Sequence, residues 1–572
     1  MKHLSFGILI LFALLNSACA QSKIEKIDKL LSACAEYGRF NGSVLIAEKG
    51  KVIYKKGFGL ANMEWNVPNQ VDTKFRLASI SKQFTAMLIL QLVAEGKLQL
   101  DVPISTYLPD YPEKNASRIT IHHLLTHTSG IPNYTSFPTY RDMMLSPHKP
   151  SEIVDLFADA ALEFTPGEKF AYSNSGYVLL GALIEKATGK TFEKVLQEKI
   201  FTPLKMNNSG YDRNSPVIKN RAAGYYRNGN AFVNANYIDM STPYAAGALY
   251  STVEDLYLWD RALYTEKLLP KKYMDLLFEK HTPGFGNYYG YGWEIGAMRI
   301  GSTKEEVQTI SHSGTINGFN TQITRIPSDQ SLIVLLNNTG GAPLYDMTTD
   351  IIGILRDKPY NFPKKSMAYA LAEVVEQDGA KAMLSYYEKM KGTDHYYLNE
   401  DEMNTSGYHL LQAEKVKEAA AIFKFNVEAF PKSFNVYDSY GEVLLVLGDT
   451  AQAIDNYKKS ISINPGNKNG LKVLKELGVN TDSLIVKVPV EHLRLLAGEY
   501  MVADQNREWK IVIEETNGEL FGNDQGYRYQ LNPVGDDKFI NPDDGATLEF
   551  DVKDKNAISF VIFGKFKFNK VK

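Results

Sequence analysis

A repeat of 34 residues in the second half constrains this chain more than any other feature. Gly407, Ala419, Phe423 and Pro431 recur as Gly441, Ala453, Tyr457 and Pro465, each 34 positions later. Small residues let two helices cross closely and proline ends each unit, so this spacing predicts stacked helical hairpins. Residues 366–391 read as a degenerate first unit. Solenoids need about three or more units, so a short array is expected to dock on a neighbouring domain.

The remaining text demands other folds. At 572 residues the chain is too long for one hydrophobic core, so two to four domains are expected. Residues 21–39 have helical spacing. Val44, Ile46, Val52 and Tyr54 alternate around Glu48-Lys49-Gly50-Lys51, which predicts a β-hairpin over 41–60. Helices are predicted over 79–95, ending at Gly96, and over 151–162 and 175–188. Ser251-Thr252-Val253-Glu254 reads as a capping box opening a helix with Leu256 and Trp259. Strand chemistry returns over 310–337. Strands at both ends with helices between predict an α/β (α+β) domain over 21–356, whose two ends share one antiparallel sheet. An all-α segment follows over 366–480. Short strands within 488–572, separated by turn residues, predict a small all-β, barrel-like domain.

The first twenty residues are a separate element. Met1-Lys2-His3 is basic, Leu4 to Leu15 is apolar, and Ala18-Cys19-Ala20 is a small-x-small site. This predicts a signal peptide over 1–20, cleaved after Ala20, and a secreted or periplasmic protein. The rival reading is processing and lipid anchoring at Cys19, but Asn16 stands where a lipobox carries an aliphatic residue. Cleavage after Ala20 leaves Cys34 alone, so no intrachain disulfide is expected, and Cys34 reads as a small buried residue on an amphipathic helix. No later segment reads as a transmembrane helix. A formal net charge of -3 gives no reason to expect nucleic acid as a partner.

The chemistry rests on Phe75-Arg76-Leu77-Ala78-Ser79-Ile80-Ser81-Lys82. Ser-x-x-Lys as a string is weak, and Ser146-Pro147-His148-Lys149 matches it equally. Placement separates the two, because Ser146 lies among prolines whereas Ser79 opens an apolar helix. Residues three apart on a helix face the same way, so Lys82 can reach the Ser79 hydroxyl. A helix N-terminus disfavours an ammonium, which keeps Lys82 able to accept a proton, and leaves the Ser79 N–H free for an oxyanion. Tyr172-Ser173-Asn174 follows Phe164-Thr165-Pro166-Gly167 and opens a small-residue helix. His312-Ser313-Gly314 is the only His-x-Gly and precedes a strong strand.

Taken in order, these three elements resemble the serine penicillin-binding proteins, class C β-lactamases and related esterases and D-amino-acid peptidases. Leu124 to Gly130 and Ala246 to Thr252 add to the resemblance, which covers about 25–356. It implies that Ser79 is the nucleophile and becomes acylated, with Lys82 and Tyr172 sharing proton transfer. Tyr172 would need a neighbouring cation such as Lys82 to favour its phenolate. It further implies that Asn174 orients Lys82 and the substrate amide, that the N–H groups of Ser79 and Thr315 hold the oxyanion, and that Gly314 and His312 belong to the substrate-binding strand, His312 contacting substrate or Tyr172. The repeat has the period of tetratricopeptide units, which implies a possible protein partner there. Leu496-Ala497-Gly498-Glu499-Tyr500 resembles the start of lipocalin-like modules that follow many such hydrolases.

The resemblance implies an exported serine hydrolase acting on peptide amides, including D-amino-acid or cell-wall peptides, or on small esters, with no cofactor and no metal. One departure limits it. The β-lactamase pattern carries lysine where this chain has His312, and histidine is only partly charged at neutral pH. Two alternatives stay open: a catalytically weak module binding cell-wall peptides or protein, and a β-lactamase. His122, His123 and His127 raise zinc as a reading, but Leu124 and Leu125 beside them and the lack of a Cys or acidic cluster favour structural roles. Tyr288, Tyr289, Tyr291 and Trp293 among glycines read either as cleft lining or as a packed strand edge.

Overall fold

A computed structural model describes residues 23–571 except 230, 485, 505–506, 525–526, 543–544, 555 and 563. The leader and Cys19 lie outside the described residues. The chain divides into two compact units. One comprises the residues up to Arg227 and Ala231–Pro363; the other is Asn228–Asn230 with Lys364–Lys572.

The first unit has three layers. Helix α1 covers 23–36, followed by strands β1 (Gly42–Glu48) and β2 (Lys51–Phe58), the hairpin expected from alternation. Helix α2 (Ser81–Ala94), α3 (Asn174–Thr188) and α4 (Val253–Ala262) come next. Strands β3 (Thr282–Gly284), β4 (Asn287–Tyr289), β5 (Glu294–Arg299), β6 (Glu306–Ile316), β7 (Phe319–Ile326) and β8 (Ser331–Asn337) precede α5 (Leu344–Leu355). The sheet order is β3-β4-β5-β6-β7-β8-β1-β2, with neighbouring strands antiparallel. Gly42 opposite Asn337 joins the two ends of the unit in one sheet.

Strand β1 is buried on both faces, which explains its unbroken Val44-Leu45-Ile46-Ala47 run. Leu45 and Ala47 pack with Phe84, Leu88, Tyr177 and Trp259 of the helical layer. Val44 and Ile46 pack on the other face with Ile27 and Leu31 of α1 and Ile351 of α5. Cys34 lies in that second layer, where burial pushes its thiol pKa up to about 12. Helix α2 is buried all round, Ser81 through Leu92 included, which explains its apolar run from Ala86 to Leu90.

Two local expectations are corrected. Ser79 does not stand in the first turn of an α-helix. It sits in a 3₁₀ turn, Ala78–Ile80, and the α-helix begins at Ser81. The cap of α4 is Thr252, whose hydroxyl accepts from the Asp255 N–H, rather than Ser251. Ser251 ends a short strand opposite Phe75, and its hydroxyl bonds that of Ser209.

The second unit begins with helices α6 (Met367–Met390), α7 (Glu400–Gln412), α8 (Val416–Ala429), α9 (Phe434–Val446), α10 (Thr450–Ile463) and α11 (Lys468–Glu476). Gly379, at φ 82°, breaks α6 into two helical halves. A methyl group on Gly407 would lie 2.6 Å from Phe423, and one on Gly441 would lie 2.9 Å from Tyr457. Both glycines therefore mark close helix approaches. Helix α12 (Val490–Leu496) leads into eight strands: β9 (Gly498–Asp504), β10 (Arg507–Thr516), β11 (Glu519–Asp524), β12 (Tyr527–Gly535), β13 (Lys538–Ile540), β14 (Thr547–Lys553), β15 (Asn556–Ile562) and β16 (Phe566–Lys570). They form a closed barrel, with β16 returning to β9. Tyr500, Ile511, Leu531, Phe539, Phe560 and Phe568 build its core.

Candidate active site

Ser79 is presented by a turn that tertiary contacts hold on several sides. Ala78 before it has φ 49°, a left-handed conformation that an L-residue keeps only when its surroundings enforce it. The Leu77 N–H donates to the Leu249 carbonyl at 2.8 Å, and the Thr321 hydroxyl donates to the Leu77 carbonyl at 2.9 Å. Strand β6 passes directly over the turn at Gly314. A methyl group there would lie 2.2 Å from the Leu77 carbonyl oxygen and 3.2 Å from Ala78 Cβ. Glycine is thus required by close backbone approach.

Lys82 is fully buried. Its Nζ lies 3.1 Å from Ser79 Oγ, 2.9 Å from Asn174 Oδ1 and 2.9 Å from the Ala246 carbonyl oxygen. Burial pulls its pKa well below the ordinary lysine value. A neutral amine has two protons and one lone pair. Asn174 Oδ1 and the Ala246 oxygen accept but cannot donate, so they take the protons and leave the lone pair for Ser79. Burial, rather than the helix terminus invoked from sequence, is the cause that lowers the Lys82 pKa and favours its neutral form.

Tyr172 stacks its ring 4.9 Å from Lys82 Nζ. Its hydroxyl is buried and completes no hydrogen bond within 3.5 Å to a described group, although the nearby Ser79 hydroxyl opposes the effect of burial on it. Burial dominates and pushes the phenol pKa up. Burial thus works against the phenolate expected from sequence and favours the protonated phenol. Asn174 opens α3 and is tied down in turn, its N–H donating to Asn133 Oδ1 at 3.1 Å.

His312 faces the same side of β6 as Gly314. Its Nδ1 lies 2.6 Å from the Ser313 carbonyl oxygen, which only accepts, so Nδ1 carries the proton. Nε2 then accepts from the Tyr289 hydroxyl at 2.9 Å. Burial lowers the His312 pKa to about 3, and a charge on Lys82 would act in the same direction. The ring is neutral rather than partly charged. It makes no hydrogen bond to Tyr172, whose ring centre is 6.4 Å away.

Thr315 lies opposite Asn320 in a hairpin closed by Asn317-Gly318. In that register its N–H points away from β7. Strand β5 pairs with β6 no further than Ser311, so this N–H emerges on an open edge. Ser79, Lys82, Tyr172, Asn174, His312, Gly314 and Thr315 thus come from the elements that meet around one turn. The competing Ser146 lies exposed in a loop, with its hydroxyl 3.3 Å from His148 Nε2.

Sequence reasoning gave His127 no part beyond its loop. Its Nδ1 accepts from the Ser173 N–H at 3.1 Å, its ring lies 4.2 Å from Tyr172, and burial holds it neutral. His127 thereby fixes the segment that carries Tyr172 and Asn174. Tyr289, read from sequence only as cleft lining or a packed strand edge, is fully buried and bonds His312, a pairing between two strands that sequence reasoning missed. Glu294 is a third. It lines a cavity of about 150 Å³ with Ser311, Ser313 and Gln322, and burial raises its pKa to about 7. His122 bonds Tyr291 at 2.8 Å, and His123 helps cap a short helix at Thr120. Among the described residues no group of three His, Cys, Asp or Glu is arranged to hold a metal ion. No helix among them is long and apolar enough to cross a membrane.

Comparison with known proteins places the fold and site in context. Residues 24–353 match the family described as Beta-lactamase. Penicillin-binding protein 4* of Bacillus subtilis (strain 168) is 31% identical over 365 residues, which cover 60% of this chain and 79% of that protein. The crystal structure of a penicillin-binding protein from Bacillus halodurans is similar, with TM-score 0.50 and 30% identity over 56% of this chain and 98% of that one. D-amino acid amidase from Ochrobactrum anthropi SV3 is similar with TM-score 0.51 and 25% identity, over 58% of this chain and 99% of that one. With the Ser79–Lys82–Tyr172 arrangement carried on the matched unit, the chain belongs to the β-lactamase family of serine hydrolases.

Proposed function

We propose that this chain is an exported hydrolase that forms an acyl-enzyme on Ser79, using peptide amides, among them D-aminoacyl or cell-wall peptides, or small esters. The observation that carries this reading is the Lys82 amine, buried, its pKa lowered by that burial, and bonded so that the lone pair of its neutral form meets the Ser79 hydroxyl. The amine takes the Ser79 proton as Oγ bonds the substrate carbonyl carbon. The N–H groups of Ser79 and Thr315 hold the resulting oxyanion. Tyr172 gives its proton to the leaving nitrogen or oxygen as that bond breaks, and the Lys82 ammonium returns a proton to Tyr172. Water repeats the sequence on the acyl-serine, releasing an acid and restoring the hydroxyl.

His312, held neutral by burial, stands where the β-lactamase pattern carries a lysine, which favours uncharged amides and esters over a β-lactam carboxylate. The amidase similarity supports amides. The basic start, the apolar run to Leu15 and Ala18-Cys19-Ala20 support export, to the periplasm or outside. The Gly407–Phe423 and Gly441–Tyr457 packings, 34 residues apart, support tetratricopeptide units as a protein-docking segment. The test is turnover of D- and L-aminoacyl amides, short esters and nitrocefin by the mature chain, with fluorophosphonate labelling of wild type and Ser79→Ala. Labelling and turnover are expected in wild type and lost in the variant. Labelling that survives the substitution refutes the assignment.

A further inference from the structure

Beside the acid of this site lies an apolar surface that the acylation chemistry does not use. Strands β3 and β4 form a hairpin whose tip is Phe285-Gly286. Phe285 is 56% exposed. An exposed phenylalanine is common by itself, so its position decides its meaning. Its ring centre is 5.5 Å from that of Tyr172 and 5.2 Å from that of half-buried Phe170, edge-on to the latter. The hairpin is seated against Phe170, since a methyl group on Gly284 would lie 2.8 Å from that ring. It is also anchored at its base, where Tyr289 donates to His312. Phe285 has φ 53°, an unfavourable conformation for a bulky residue. The chain thus holds a large apolar ring in solvent, in a strained backbone, against the ring of the proton donor.

We infer that Phe285 and Phe170 form an aromatic shelf that binds the leaving group of the substrate and selects leaving groups with a ring or a bulky alkyl chain. This rests on the acyl-serine reading above. The side of the reaction follows from Tyr172: its hydroxyl is buried beside that of Ser79 and, on the acyl-serine reading, is the proton source for the departing atom. What it protonates must lie next to it, and the shelf begins at its ring. On this reading the acyl portion is left to the side of Ser79 and the open edge of β6. An aromatic contact of this kind corresponds to about five- to tenfold in rate when the ring is removed.

The test uses esters with one acyl group and two leaving groups, phenyl and methyl, on wild type, Phe285→Ala and Phe285→Leu. Because the leaving group departs before water attacks, its binding enters kcat/KM and acylation only. The ratio of kcat/KM for phenyl over methyl is expected to fall about five- to tenfold in Phe285→Ala and less in Phe285→Leu. The single-turnover rate of deacylation should not follow the substitution. A ratio that stays at the wild-type value, or a loss that tracks the acyl group instead, overturns the shelf while leaving the acyl-serine reading intact. Absence of wild-type turnover and of Ser79 labelling overturns both.

Discussion

Replacing Glu294 with glutamine gives the sharpest quantitative test of the electrostatics built into the site. The carboxyl sits in the cavity lined by Ser311, Ser313 and Gln322, and burial raises its pKa from 4.5 to about 7. In the unfolded chain it ionises at its ordinary value. Between these two values the folded state holds a proton that the unfolded state has released, so stability falls as pH rises. The full shift corresponds to about 3 kcal/mol, of which roughly 2–3 kcal/mol is lost between pH 5 and pH 8. Glutamine keeps the shape and hydrogen-bonding capacity but cannot ionise. Denaturant unfolding of both chains, followed by emission of the buried Trp259 and Trp293, should therefore show wild type losing stability relative to Glu294→Gln across that window. Parallel pH dependences would refute the reasoning. The same charge also raises the pKa of Tyr172 and Tyr289, so the variant should lower the alkaline pKa seen in acylation.

Four further outcomes follow from the geometry. Lys82→Ala should slow fluorophosphonate labelling of Ser79 by about a hundredfold or more, since it removes the general base. In wild type, kcat/KM should fall on acidification with uptake of one proton by Lys82, and its alkaline plateau should begin well below pH 10.5 because burial lowers that pKa. Gly314→Ala should cost about 1–3 kcal/mol in unfolding free energy and lower acylation, because the new methyl group meets the Leu77 carbonyl. Gly441→Val should destabilise the helical segment by a similar margin through its contact with Tyr457, while hydrolysis by the first unit continues.

Much of the first unit was legible because its signals are local. The β1–β2 hairpin announces itself by alternation and a turn. The motifs at Ser79, Tyr172 and His312 keep their order, and helical spacing marks α2 and α3. The corrections share a cause. Ser251 matches a capping pattern, yet strand pairing with Phe75 and the Ser209 hydroxyl claim it, and the cap passes to Thr252. Ser79 matches a helix start, yet contacts from Leu249, Thr321 and Gly314 hold it in the tighter turn before the helix. Neither competing partner lies near in sequence, so periodicity cannot reveal the outcome.

The same separation explains why charge states could not be read from residue type. A histidine in place of a lysine suggests a weaker cation. In the fold, its burial and the bonds to Tyr289 and the Ser313 carbonyl leave the His312 ring uncharged. A tyrosine beside a lysine suggests a phenolate. Burial of both works the other way, lowering the pKa of the amine and raising that of the phenol. In the acyl-serine reading both shifts favour the protonation states that acylation needs, an unprotonated amine and a protonated phenol. A buried pair of opposite charges in the same place would have to be neutralised by proton transfer before Ser79 could attack, at a cost that a low-dielectric site makes large.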